Sequence, residues 1–212
     1  MNPVIKRLYI LNSIVALVSI AVLFGWIFEI QALRSIYSEW VSMKFITALF
    51  FFAIGVILFL LLEFERGNKK VVNTTAIICL FLFLYAIFIL INDFLGLNLF
   101  FWDYLTGEKY IQGIDTLPGR PSIVTILGFT FVTYVIFLRV RGIAGVRDYY
   151  WVGLILVSLG VVALLGYLFS YPILFFAIPG FSTGAAAHTA GLFIIIGKYL
   201  MVLAKAVLQK TL

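Results

Sequence analysis

Residues 45–62 read FITALFFFAIGVILFLLL, a run of eighteen residues without a charged side chain. A helix that crosses the hydrocarbon core of a bilayer needs about 20 predominantly apolar residues. The run therefore predicts a transmembrane helix. The rest of the chain shows whether it stands alone or belongs to a bundle.

Further apolar runs of similar length follow along the chain. A window of about 19 residues predicts spans over 8–30, 45–62, 71–95, 123–140, 149–169 and 185–207. A span with its connection takes roughly 30 to 40 residues, so 212 residues hold about six. We expect an all-α integral membrane protein with one transmembrane domain over residues 1–212.

The composition excludes a water-soluble domain. Of the residues, 64% are hydrophobic and 11% are charged, whereas soluble domains carry about 25% charged residues. The single Cys79 cannot form an intrachain disulfide, and no Cys/His cluster has the spacing of a metal site. Cys79 is expected to pack as a small hydrophobe.

Lysine and arginine are distributed unequally between the two sides of the predicted membrane. The side without the termini holds only Arg34, Lys44, Lys109 and Arg120 of the 15 cations. The positive-inside rule then predicts cytoplasmic N and C termini. The net charge of +6 suits attraction to anionic lipids, so we expect the lipid bilayer, and no nucleic acid, as a partner.

The exterior connection over residues 96–121 mixes aromatic and charged side chains, among them Trp102, Tyr104 and Lys109. Such a mixture suits the membrane interface, where an aromatic ring can keep one edge in water. We predict a short interfacial helix there. The alternative is an ordinary aromatic anchor without a ligand role.

An internal repeat relates the second, fourth and sixth spans. In each, Thr is followed by Phe after four residues and by a small residue after eight, which places the three positions along one stripe of a helix. This predicts three helical hairpins, each contributing one such helix to a central seam. The repeat consists of Thr47, Phe51 and Gly55; Thr125, Phe129 and Thr133; and Thr189, Phe193 and Gly197.

The repeat predicts a ligand pocket, because the N-terminal ends of its three helices meet near the outer surface and carry unpaired amide groups. We expect Thr47, Thr125, Thr189, His188 and Arg120 to line it. Its ligand would be small and polar, anionic or quinone-like. In the alternative, the Thr hydroxyls cap or bond their own backbone and His188 only packs.

From about Trp40 onward, the chain resembles the N-terminal six-helix membrane-embedded sensor domain of bacterial histidine kinases and related signalling proteins. The resemblance lies in Met43-Lys-Phe-Ile-Thr47-Ala48, Leu117-Pro-Gly-Arg-Pro-Ser-Ile-Val-Thr125 and Ala187-His188-Thr189-Ala190. Pro121, Ile126 and Ala185 depart from the usual Met, Ala and Met of that pattern.

The resemblance implies a signal-input module of a prokaryotic inner membrane, without catalytic residues that could be transferred. Because the chain stops at Leu212 without a kinase motif, we expect either the input part of a longer protein or a stand-alone relative. The stand-alone form would act on a membrane or cytoplasmic partner, or as a homodimer.

Other function classes remain open. The lack of a reactive constellation also suits an accessory or assembly subunit of a larger membrane complex. A small transporter or channel would need polar groups at mid-membrane. We expect no enzyme activity and no cofactor, because His188 has no nearby nucleophile, carboxylate pair or second ligand.

Overall fold

A computed structural model describes residues 2–37, 39–97, 119–178 and 182–209. Within these ranges, six helices are long and apolar enough to cross a membrane. They are α1 (Pro3–Ile27), α2 (Phe45–Glu65), α3 (Val72–Leu95), α4 (Ile123–Val140), α5 (Val146–Leu168) and α6 (Ala187–Leu208). The predicted all-α membrane fold with six spans is confirmed, and the chain is a multi-pass membrane protein.

The first helix begins and ends earlier than the apolar run at residues 8–30 indicates. Its start is set by Asn2, whose side chain accepts a hydrogen bond from the Val4 amide at 2.9 Å, and by Pro3 at the first helical position. Proline suits that position because its missing N–H would have no intrahelical partner there. At the other end Glu29 has a φ of 56°, a left-handed conformation that stops the helix.

The longest connection starts from a glycine-terminated helix. Gly96 caps α3 with a φ of 62°, and the Leu97 amide donates to the Asn92 carbonyl at 3.1 Å. This left-handed ending satisfies carbonyls that the helix leaves unpaired. The predicted interfacial helix falls mostly on residues 98–118, which lie outside the described residues.

The helices pair as consecutive hairpins, α1 with α2, α3 with α4, and α5 with α6. The third hairpin is the closest, because Gly153 of α5 faces Gly197 of α6. A Cβ added to Gly153 would lie 2.6 Å from the Gly197 carbonyl oxygen. Small residues allow such a backbone approach in lipid, where packing rather than the hydrophobic effect holds helices together.

The hairpins define two ends of the bundle. The distal end is where α2, α4 and α6 begin, and the proximal end is where α1 begins and α6 ends. Helix α2 is the most enclosed of the described spans. In its most apolar window 61% of residues are buried, against 28% in α1, because α2 packs against α1, α3, α4 and α6.

Candidate functional site

The three repeat helices begin in the same way. Thr47, Thr125 and Thr189 are each the third residue of their helix. The residues that precede the helices, Lys44, Ser122 and Ala186, share φ between −67° and −60° and ψ between 147° and 151°. The repeat therefore corresponds to three structurally equivalent helix starts at the distal end.

Only one of these starts has a side-chain cap among the described residues. The Ser122 hydroxyl accepts from the Thr125 amide at 3.2 Å and lies 2.7 Å from the Thr125 hydroxyl. Lys44 is buried but makes no capping bond, and Ala186 has no polar side-chain atom. The starts of α2 and α6 therefore lack a side-chain cap and carry the partial positive charge of a helix N-terminus at the distal end.

One turn below the threonines, the repeat phenylalanines form a common aromatic cluster. The ring centroid of Phe51 lies 4.8 Å from that of Phe129 and 5.6 Å from that of Phe193. The Phe129 and Phe193 centroids are 5.9 Å apart, and all three pairs are edge-to-face. Phe50 stacks on Phe129 at 4.8 Å. The cluster therefore joins α2, α4 and α6 at the centre of the bundle.

The small residues of the repeat do not share that centre. A Cβ on Gly55 would be 3.7 Å from Asn12 of α1, and Gly197 packs on α5. Thr133 donates to the carbonyl of Phe129 at 2.8 Å in its own helix. The small residue follows the threonine by eight positions, which rotates it by about 80° around the helix axis. This rotation directs Gly55 and Gly197 toward the neighbouring helix of their own hairpin.

Arg120 lies in an ion pair at the distal end. Its Nη1 is 3.5 Å from Oδ1 of Asp93, and both side chains are 11% exposed. The Thr183 hydroxyl donates to the Arg120 carbonyl at 2.9 Å. The ion pair links the end of α3 to the start of α4. The Thr183 hydrogen bond attaches the segment before α6 to the same place. The sequence points to Arg120, but nothing local in it identifies Asp93 as the partner.

His188 is the second residue of α6 and is partly buried. Within the described ranges its Nδ1 is buried without a hydrogen-bond partner. The adjacent Thr189 is buried, and no side-chain cap bonds the start of α6, so this corner combines an imidazole, a hydroxyl and the first amides of a helix. Such groups can hydrogen-bond an anion or a carbonyl oxygen.

A second polar cluster, which the sequence pattern does not predict, lies at the proximal end. Glu65 of α2 accepts from Arg139 Nε at 2.7 Å and from Arg139 Nη2 at 3.0 Å. The buried Tyr149 of α5 donates to the same carboxylate at 3.2 Å. We name Glu65, Arg139 and Tyr149 the proximal clamp. In the sequence, both charges resemble ordinary headgroup contacts at helix ends, so nothing local reveals the pairing.

Further bonds attach other helices to the proximal half of α2. The buried Tyr199 hydroxyl of α6 donates to the Leu58 carbonyl at 2.6 Å. On α1, the Tyr9 hydroxyl donates to Glu63 at 3.3 Å, and Glu63 also pairs with Arg66 at 2.8 Å. Helix α2 is therefore bonded to four other helices near this end.

The two ends offer different chemistry. The distal end holds buried threonine hydroxyls and a partly buried imidazole, whereas the proximal clamp can hold helices in register. Compared with family models, with curated proteins and with solved structures, the chain matches none significantly.

Proposed function

We propose that this protein is a membrane-embedded sensory module that detects a membrane or exterior cue at its distal end and relays it at its proximal end. The receiver would be a cytoplasmic or membrane partner, as for the input domains of histidine kinases. In this proposal the termini are cytoplasmic and the membrane is the prokaryotic inner membrane. The cue would be a small polar, anionic or quinone-like molecule.

The observation that carries the proposal is the path of α2 through the bundle. Thr47 stands at its distal start, Phe51 lies in the central aromatic cluster, and Glu65 lies in the proximal clamp. Fourteen residues separate Phe51 from Glu65, a distance of about 21 Å along a helix. Because a helix of this length moves nearly as a rigid body, a tilt at the cluster would be carried to the clamp.

The clamp is suited to a switch between two arrangements. Its partners come from α2, α4 and α5, so it closes only when all three hold their relative positions. A bidentate carboxylate–guanidinium pair has narrow geometric requirements, and a small displacement breaks one or both bonds. A signal can then take the form of a change in clamp population.

Spin-label distances in nanodiscs test this coupling. The labels are placed at Arg66→Cys, at the end of α2, and Arg147→Cys, at the start of α5, in a Cys79→Ala background. Both arginines are exposed. We expect Phe129→Ala, which removes a ring from the aromatic cluster, to shift or split the distance distribution.

Phe131→Ala is the matched control, because that ring is exposed on the same helix. It should leave the distribution unchanged. Coupling between the ends is refuted if both variants give the same single distance distribution while circular dichroism shows intact helix content. That result would favour an accessory subunit. Ion or solute flux into proteoliposomes above that of empty liposomes would instead favour a transporter or channel.

A further inference from the structure

A groove runs between the proximal halves of α1 and α6, and no residue of the clamp lines it. It encloses a cavity of about 430 Å³. The residues that line it are Arg7, Leu11, Lys198, Met201, Val202 and Lys205. Half of this lining is cationic and half is apolar.

The cations of the groove are not neutralised by the described part of the protein. Arg7, Lys198 and Lys205 are exposed. The carboxylates that form ion pairs in the described ranges, Glu63, Glu65 and Asp93, pair with other arginines. Three like charges around one cavity repel each other, and an anion placed between them would remove that repulsion.

The cations are also staggered in depth. Lys198, Met201, Val202 and Lys205 follow one stripe of α6, since residues three, four and seven apart share a face. Lys205 lies three residues before the end of α6, whereas Lys198 lies ten residues before it, or about 15 Å. An ammonium at that depth is poorly hydrated by bulk water, and its four-carbon stem can only partly carry it outward.

We propose that this groove binds an anionic phospholipid from the leaflet beside the chain termini. The phosphate lies between Arg7, Lys198 and Lys205, and an acyl chain covers Leu11, Met201 and Val202. Phosphate supplies the countercharge, and the apolar lining, open to the bilayer, selects a lipid over a free anion. The Lys205 ammonium lies 5.8 Å from the Tyr150 ring, a cation–π contact that restrains it at the groove. The site does not depend on the sensory proposal.

Electron paramagnetic resonance of spin-labelled lipids tests the site in the full chain. Labelled phosphatidylglycerol and labelled phosphatidylcholine with the same acyl chains are compared in phosphatidylcholine liposomes. We expect wild type to immobilise phosphatidylglycerol preferentially. The Arg7→Gln/Lys198→Gln/Lys205→Gln variant should lose that preference, by about fivefold for each cation.

The control variant Lys70→Gln/Arg141→Gln/Arg147→Gln removes the same charge from exposed residues elsewhere at the proximal end. It should keep the preference. An equal loss in both triple variants would show general surface attraction and overturn the site. Inorganic phosphate, compared with chloride at the same ionic strength, should not displace the labelled lipid; displacement would overturn the lipid assignment in favour of a free anion. If the groove variant does not fold, Lys198→Gln and Lys205→Gln are measured singly, and an unchanged preference in both refutes the proposal.

Discussion

Replacing Glu65 by glutamine should destabilise the bundle far more than the same change two residues earlier. The Glu65 side chain is 4% exposed and receives three hydrogen bonds, two of them from Arg139, whose side chain is 21% exposed. A hydrogen bond to a charged group contributes about 1.5–3 kcal/mol. Removing one partner of a buried ion pair costs about 3–5 kcal/mol, because the other charge is left uncompensated. Since glutamine still accepts one bond, we expect Glu65→Gln to cost about 2–3 kcal/mol.

Glu63→Gln provides the matched control on the same helix. Glu63 pairs with Arg66 at 2.8 Å, but those side chains are 21% and 41% exposed. An exposed pair of this kind contributes about 0–1 kcal/mol. The free energy of unfolding is measured in mixed micelles by titration with sodium dodecyl sulfate, followed by circular dichroism.

A double-mutant cycle isolates the pair itself. With Arg139→Gln as the second change, residues in direct contact should show a coupling energy of about 1–3 kcal/mol. Equal effects of Glu63→Gln and Glu65→Gln, or a coupling energy near zero, would refute the role assigned to the proximal clamp.

Other substitutions test the packing, each by the same unfolding titration unless stated. Gly153→Ala should destabilise by about 1–3 kcal/mol, because its new methyl group would lie 2.6 Å from the α6 backbone. The control Gly191→Ala, whose Cβ would have no atom within 4 Å, should be neutral or stabilise by up to about 1 kcal/mol. Equal effects would contradict the close approach of α5 and α6. Phe129→Ala should lower the free energy of unfolding by about 2–4 kcal/mol, because it opens a cavity in the aromatic cluster. Phe131→Ala should lower it by less than about 1 kcal/mol, because lipid replaces the contacts of this exposed ring. A larger effect of Phe131→Ala would contradict the burial of Phe129. Cys79 is fully buried, so a maleimide should label it only after denaturation, and rapid labelling of the native protein in a gel-shift assay would contradict its position.

Much of the distal architecture could be predicted from local sequence. Equivalent helix starts are marked by Thr47, Thr125 and Thr189, each the third residue of its helix. The spacing of four and eight residues that follows each threonine is a local property of the sequence, so the equivalence is visible without the tertiary structure. Gly55 packs on α1 and not in the aromatic cluster, because rotation accumulates to about 80° over eight residues. The ligand role of the distal residues stays a prediction.

The sequence alone determined that this chain is a bundle of apolar spanning helices, since each span must satisfy its backbone internally and hydrophobic length is a local property. Only the tertiary structure decided which helix lies at the centre and which charges meet. Glu65 and its partners Arg139 and Tyr149 are separated by 74 and 84 residues. Such pairs are selected by the lateral packing of the helices. Because every apolar face is equally soluble in lipid, hydropathy carries no information about which faces will be in contact.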